Sequence, residues 1–366
     1  MIKLTLLSQK ESKKLILVTG GAGFIGTNFV FSLINNKKYQ EKILVFDALT
    51  YSGNISNFDN LKEKSLFEFF HGDINNLKQI QSIFEKFKPR VIVNFAAETH
   101  VDRSIKDPDI FLKTNVFGTF NLLRTSLEYF NSLPEFSKDD STISQNKFKF
   151  LQISTDEVYG SLKEDDFQFK EQDPYKPNSP YSASKASGDH LVRAWTKTYG
   201  LPAIVTNCSN NYGPFQYPEK LIPLAIQNCL SGKKIPIYGK GDQIRDWLFV
   251  DDHCSALEKI ISKGIPGENY NIGGECEYRN IDLVKLICRT LDVMNIKKHP
   301  SIKKQHEELI SFVPDRLGHD HRYGVDITKI KNDLNWQPSI SIEEGMKRTV
   351  LWYLENKNWV NNLRTN

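Results

Sequence analysis

Thr19-Gly20-Gly21-Ala22-Gly23-Phe24-Ile25-Gly26 lies between the aliphatic run Leu15–Thr19 and a stretch of apolar periodicity reaching to about Leu33. Strand, glycine-rich turn and amphipathic helix, in that order, open a β-α-β unit. Working outward, further short aliphatic runs fall at residues 43–46, 67–71, 91–95, 148–153 and 203–206, separated by helix-length intervals. Such runs are apolar on both faces. Alternating with helices, they predict a parallel sheet covered on both sides, a doubly wound α/β architecture.

The glycines of the turn have a chemical reading. They let the chain reverse tightly and let a pyrophosphate approach the backbone at a helix N-terminus, where free N–H groups and the helix dipole favour negative charge. Asp47 closes the second strand, where a carboxylate can accept both hydroxyls of an adenosine ribose. The residues after it, Ala48-Leu49-Thr50, offer no Arg to a 2′-phosphate, which favours NAD over NADP. By position, Asp73 and Ile74 after the third strand flank the adenine. Residues 96–99 after the fourth line the cofactor's path. The fold class is therefore a Rossmann-type sheet with a smaller mixed α/β domain after about Pro214, where Pro, Gly and aromatic residues become denser and elements shorten.

Bulk properties narrow the function. With 48 basic against 44 acidic residues the net charge is +4, and no basic tract suits a phosphate backbone, so nucleic acid is not an expected partner. The five cysteines are scattered without a C-x-x-C pair, which predicts reduced thiols in a cytoplasm. His319-x-His321 alone is too thin for zinc, and no metal is expected. No apolar run is long enough to span a membrane. Residues 1–13 read as a loose leader. Residues 14–214 read as an NAD-binding domain carrying the catalytic residues. Residues 215–366 read as a mainly substrate-binding domain with some chain crossing back. Residues 132–146 read as a surface loop, and the pairs Lys13-Lys14 and Lys37-Lys38 as solvated surface.

Two clusters carry the chemistry. In Tyr181-Ser182-Ala183-Ser184-Lys185, Tyr and Lys share a helix face at i and i+4, with Pro177 and Pro180 marking the helix start. An ammonium beside the phenol is expected to lower its pKa toward working pH, so that it can take a proton from a sugar hydroxyl. In Thr155-Asp156-Glu157, two neighbouring carboxyls follow an aliphatic strand, at the edge where open parallel sheets bind ligands. Eliminating water needs one group to remove a carbon-bound proton and another to protonate the departing hydroxyl. A carboxyl pair with separated pKa values can do both.

Together these blocks resemble the extended short-chain dehydrogenase/reductase family, and within it the dTDP-glucose 4,6-dehydratases. The likeness runs from about Lys14 to Trp352. It rests on the glycine turn, residues 46–54 around Asp47, Ala96-Ala97-Glu98-Thr99-His100-Val101-Asp102-Arg103-Ser104, the Thr-Asp-Glu triplet and Tyr181/Lys185. Beyond them it includes Asn210-Asn211-Tyr212-Gly213-Pro214, Arg245-Asp246-Trp247 and Pro314-Asp315-Arg316-Leu317-Gly318-His319-Asp320, where Leu317 replaces the family's usual Pro. The acidic pair after Thr155 is the specific element, since related epimerases lack it there.

The resemblance implies NAD as cofactor and dTDP-glucose as substrate. Tyr181, assisted by Lys185 and Thr155, would take the C4 hydroxyl proton as hydride leaves C4. Glu157 would remove the C5 proton, Asp156 would protonate the C6 hydroxyl, and hydride would return to C6. Cofactor contacts implied are Gly20, Gly23, Phe24, Ile25, Gly26, Asp47, Thr50, Asp73, Ile74, Ala96, Ala97, Thr99, Thr114, Tyr181 and Lys185. Substrate contacts implied are Thr99, Thr155, Asn210, Lys220, Leu221, Tyr238, Arg245, Asn280, Arg316, His319 and Tyr323. Lys220 and Arg245 would face the diphosphate, and Asn280, Arg316, His319 and Tyr323 the nucleotide end. A homodimer through helices near 115–130 and 181–199 is also implied. The competing readings are a UDP- or CDP-sugar dehydratase, a nucleotide-sugar epimerase or decarboxylase, and a silent NAD or sugar-nucleotide sensor.

Overall fold

The computed structural model describes residues 15–36, 41–133, 148–294, 296 and 299–365. The leader, both Lys pairs and nearly all of the expected 132–146 loop lie outside these residues. Ser132 itself ends the helix Thr119–Ser132 rather than opening a loop.

Among the described residues twelve strands follow one another. The first six are β1 (Leu15–Thr19), β2 (Lys42–Asp47), β3 (Phe67–His71), β4 (Val91–Asn94), β5 (Lys149–Thr155) and β6 (Ala203–Cys208). The rest are β7 (Asn210–Tyr212), β8 (Ile235–Tyr238), β9 (Ile244–Phe249), β10 (Asn269–Ile272), β11 (Glu277–Arg279) and β12 (Ile310–Val313). Seven of them form one sheet in the order β10-β6-β5-β4-β1-β2-β3, with every neighbouring pair parallel. The aliphatic runs are strands because both faces are covered: all five residues of β1 and all seven of β5 are buried. At the edge, β3 (Phe-Glu-Phe-Phe-His) is only partly covered.

Strand order reverses at β1. The chain proceeds outward through β2 and β3 on one side and through β4, β5 and β6 on the other, opening a crevice at the strands' C-terminal ends. The glycine turn and the segment after β4 meet there. Gly20 has φ +67°, and a Cβ on it would lie 2.5 Å from the Ala96 backbone nitrogen, so only glycine permits the approach.

The second layer of organisation is a smaller unit built on β7-β9-β11 and the parallel pair β8-β12. Its core joins Tyr212, Ile222, Trp247, Phe249, Ile287, Met346 and Tyr353. Residue 214 is not a clean division. β10 is the outer strand of the large sheet, and the helices Val250–Lys263 and Thr328–Leu334 bury Cys254, Leu257, Ile260, Ile330 and Leu334 in the large core. Lys149, at the foot of β5, secures this return. Its ammonium donates to the carbonyls of Ile261 (2.9 Å) and Gly264 (3.0 Å), capping the negative end of the Val250–Lys263 helix.

Candidate active site

The crevice is a cavity of about 340 Å³ lined from Gly20 to Lys220. Its cofactor end follows from local backbone chemistry. The helix Phe24–Asn35 starts at Gly23 without a side-chain cap, so its first N–H groups face the cleft. A Cβ on Gly23 would meet only the Gly20 carbonyl oxygen, at 3.3 Å, and otherwise fill the space a phosphate needs. Asp47 is buried. Its Oδ2 accepts from Ala22 N–H (2.9 Å) and its Oδ1 from Leu49 N–H (2.7 Å). Leu49 is held at φ +49° to make the second contact. That conformation costs about 1–2 kcal/mol, which one hydrogen bond to a carboxylate, worth about 1.5–3 kcal/mol, offsets. Burial raises the Asp47 pKa, and the two N–H donors oppose it. These donors and the open glycine face fit a dinucleotide with a free 2′-hydroxyl.

The reacting end lies across the β4–β5 boundary. Thr155 ends β5, and a single 3₁₀ turn, Asp156–Tyr159, follows. Thr155 Oγ1 accepts from Glu157 N–H (3.3 Å) and donates to Asp156 Oδ1 (3.2 Å), which holds the two carboxyls together at the cleft. Asp156 is buried and Glu157 partly so, and their buried oxygens Oδ2 and Oε2 have no hydrogen-bond partner among the described residues. Burying two such groups is costly unless they are used. Their environments differ. Asp156 is pushed well above the usual carboxylate range by burial and by the charges of Glu157 and Asp246. Glu157 is also raised by burial, but Arg316, Arg245 and Lys220 pull it back. The surroundings of Asp156 thus favour the neutral form more strongly than those of Glu157.

The helix Pro180–Tyr199 presents the other pair. Ser179 caps it by accepting from Ser182 N–H (3.0 Å), and Pro180 occupies its first turn. Tyr181 and Lys185 both line the cavity, with the Tyr181 phenol beside Thr155. The expected lowering of the phenol's pKa is not what the structure shows. Burial and the nearby Glu157 carry Tyr181 upward. Lys185 aims its ammonium at the Ile153 carbonyl (2.7 Å) instead of the phenol, and burial lowers its own pKa. Helical spacing indicated a shared face, whereas burial depth decided the direction of the shift.

The cavity also brings together Gly20, Gly23, Phe24, Ile25, Gly26, Thr50, Asp73, Ile74, Ala96, Ala97, Thr99, Thr114, Asn210 and Lys220. Lys220 donates to the Thr99 carbonyl (3.1 Å), bridging the two units. Seven residues placed at the substrate end by resemblance are not in its lining. Arg245, Arg316 and Tyr323 sit close enough for their charges to be felt by Glu157 or by one another. Arg245 spends its guanidinium on the carbonyls of Ile244 (2.7 Å) and Asp320 (2.9 Å) and stacks over the Tyr323 ring. His319 pairs with Asp315 (2.6 Å), and Tyr238 donates to Asp102 (3.3 Å), outside the cavity. Leu221 begins the helix Leu221–Ser231 directly after the lining residue Lys220, and Asn280 begins the helix Asn280–Val293.

Tyr51 and Glu219, which carried no separate sequence reading, also line the cavity, as does Glu98 of the 96–99 segment expected along the cofactor's path. Arg103 lies 3.8 Å over the Tyr51 ring and pairs with Glu219 (3.0 Å), tying the loop after β2 to the segment before the Leu221 helix. Asn115 sits in a π-helical turn, Leu112–Gly118, a distortion common at functional sites. It links the Glu98 backbone (2.9 and 3.0 Å) to Ser184 (2.8 Å), one residue before Lys185.

Comparisons agree with this geometry. Residues 17–349 match the family model described as GDP-mannose 4,6 dehydratase. A dTDP-glucose 4,6-dehydratase of Escherichia coli is 51% identical over 352 residues, 94% of each chain. That of Neisseria gonorrhoeae is 48% identical over 95% of this chain and 98% of its own. Among solved structures, dTDP-glucose 4,6-dehydratase of Bacillus anthracis in complex with NAD has a TM-score of 0.81 and 44% identity, covering 96% of this chain and 99% of that one. The Streptomyces venezuelae enzyme of the same name, with NAD and TYD bound, has a TM-score of 0.83 and 39% identity, covering 95% and 99%. By fold, site and sequence, the chain belongs to the GDP-mannose 4,6 dehydratase family.

Proposed function

We propose that the chain is a dTDP-glucose 4,6-dehydratase, converting dTDP-glucose to dTDP-4-keto-6-deoxyglucose and water with NAD. The observation that carries this reading is the neighbouring pair Asp156 and Glu157, each with a buried oxygen that has no partner among the described residues, at the end of β5 in the cavity that also holds Tyr181. An epimerase or a sensor leaves that pair without a task. The relatives' names support the same nucleotide sugar.

Bound NAD supplies the hydride acceptor for C4, the same hydride for C6, and a positive ring that favours a phenolate. The chain's residues handle the protons. Tyr181, beside Thr155, takes the C4 hydroxyl proton. The resulting 4-ketone acidifies C5–H, and Glu157, with Arg316, Arg245 and Lys220 favouring its ionised form, removes that proton. Asp156, kept neutral by burial, delivers a proton to the C6 hydroxyl, and water leaves; once C6 is reduced, Glu157 gives its proton back to C5. Lys185 and Asn115 keep the Pro180–Tyr199 helix in register with β5 and with the segment after β4. The NAD-binding and catalytic assignments belong mainly to residues 14–214 and substrate recognition mainly to 215–366, with Lys220, Arg245, Arg316, His319 and Tyr323 at its charged end.

Incubation with dTDP-glucose should give a product lighter by one water without added reductant, and UDP-glucose should remain unchanged. An unchanged mass with an altered dTDP-sugar would establish epimerisation instead. We also propose a cytoplasmic homodimer. No helix of the described residues is long and apolar enough to cross a membrane, and all five cysteines are free thiols. The exposed Leu112, Phe117 and Tyr199 offer apolar surface beside the helices 119–132 and 180–199. Light scattering on protein from the cytoplasmic fraction should return twice the chain mass. A monomer, or recovery only with the envelope, overturns these assignments.

A further inference from the structure

The last helix, Lys357–Thr365, lies beyond the residues matched to the family, yet it is linked through Asn57 to the glycine turn. Trp359 packs edge-on against Trp352 (ring centroids 4.9 Å) and Phe215 (6.0 Å), and Phe215 stacks on Phe31 of the helix Phe24–Asn35 (5.8 Å). Its indole Nε1 donates to Asn57 Oδ1 at 2.7 Å. Asn57 is buried, and its amide nitrogen donates to the Ala22 carbonyl (3.1 Å) and to Thr27 Oγ1 (3.0 Å). The N–H of the same Ala22 donates to Asp47 Oδ2 (2.9 Å).

This chain of contacts has a direction. An indole N–H is a donor with no acceptor capacity. It therefore fixes the Asn57 carboxamide with oxygen toward Trp359 and nitrogen toward Ala22. The flipped amide would set its oxygen against the Ala22 carbonyl and its N–H₂ against the indole N–H, losing both contacts.

We propose that Trp359 is a positioning residue for the cofactor: acting through Asn57, it holds the Ala22 peptide, and with it Asp47, in the pose that receives the adenosine ribose and pyrophosphate. This rests on the dinucleotide reading of the glycine turn. Trp359 touches no reacting atom, so its effect falls on how firmly NAD is held and leaves the proton transfers alone.

The test is exchange of bound NAD against labelled NAD in the holoenzyme. Trp359→Phe keeps an aromatic ring in the cluster and removes only the N–H. Exchange should accelerate about tenfold, as for one buried hydrogen-bonding group left unpaired, while kcat at saturating NAD stays at the wild-type value. Asn57→Asp, which keeps the acceptor and loses the donors to Ala22, should accelerate exchange at least as much and carries the test if the Phe variant does not fold. The double variant should exchange no faster than Asn57→Asp alone, because both act on one chain of contacts. Wild-type exchange in folded Trp359→Phe, fully additive losses, or a fall in kcat with exchange unchanged would overturn the proposal. A wild-type protein that holds no NAD would instead refute the dinucleotide reading.

Discussion

Glu157→Gln is expected to lower turnover about a thousandfold, roughly 4 kcal/mol of barrier, the usual contribution of a positioned general base. The amide has the carboxylate's shape but cannot accept the C5 proton. Oxidation at C4 does not use Glu157, so the variant should stall with the sugar ketonic and the bound dinucleotide reduced, visible by absorbance after a single mixing. Replacement also leaves Arg316, Arg245 and Lys220 facing a neutral group, where each now acts on Glu157 as a cation. Wild-type turnover by this variant would remove Glu157 from the elimination step.

Tyr181→Phe should fail one step earlier, with a loss of comparable size or larger. In the proposed mechanism the phenol, which lines the cavity beside Thr155, is the group that receives the C4 hydroxyl proton. Phe preserves the ring contact with Phe111 but has no oxygen. No reduced dinucleotide should then accumulate on mixing with dTDP-glucose. The two variants thus separate by a single optical signal, present in Glu157→Gln and absent in Tyr181→Phe. Accumulation in both would mean that another group performs the first deprotonation.

The parts of the molecule that were legible in sequence are those governed by local pattern. β1 and β4 appear within the expected runs because a strand buried in a parallel sheet is apolar along most of its length. The carboxyl pair was legible because adjacency itself is unusual after a buried strand. Other features depend on burial or on distant chain. β10, with the sequence Asn-Tyr-Asn-Ile, has no aliphatic run and lies past the point where composition changes, so the seventh strand was not foreseen. The cations around Glu157 come from residues 63 to 159 positions further on, a juxtaposition that no spacing rule reports. Asn115 was passed over because a π turn has no repeat of its own to follow.

The position of β10 also constrains the order of events at the ribosome. A nascent chain that has emerged only to Pro214 carries the glycine turn, the acidic pair and Tyr181, but its β6 edge is bare and the helix that Lys149 caps has not yet been made. Bare parallel edges invite association between chains. Synthesis must therefore run past Ile272 before the sheet can close, and a protein that stops short should be found in aggregates or in the grip of chaperones.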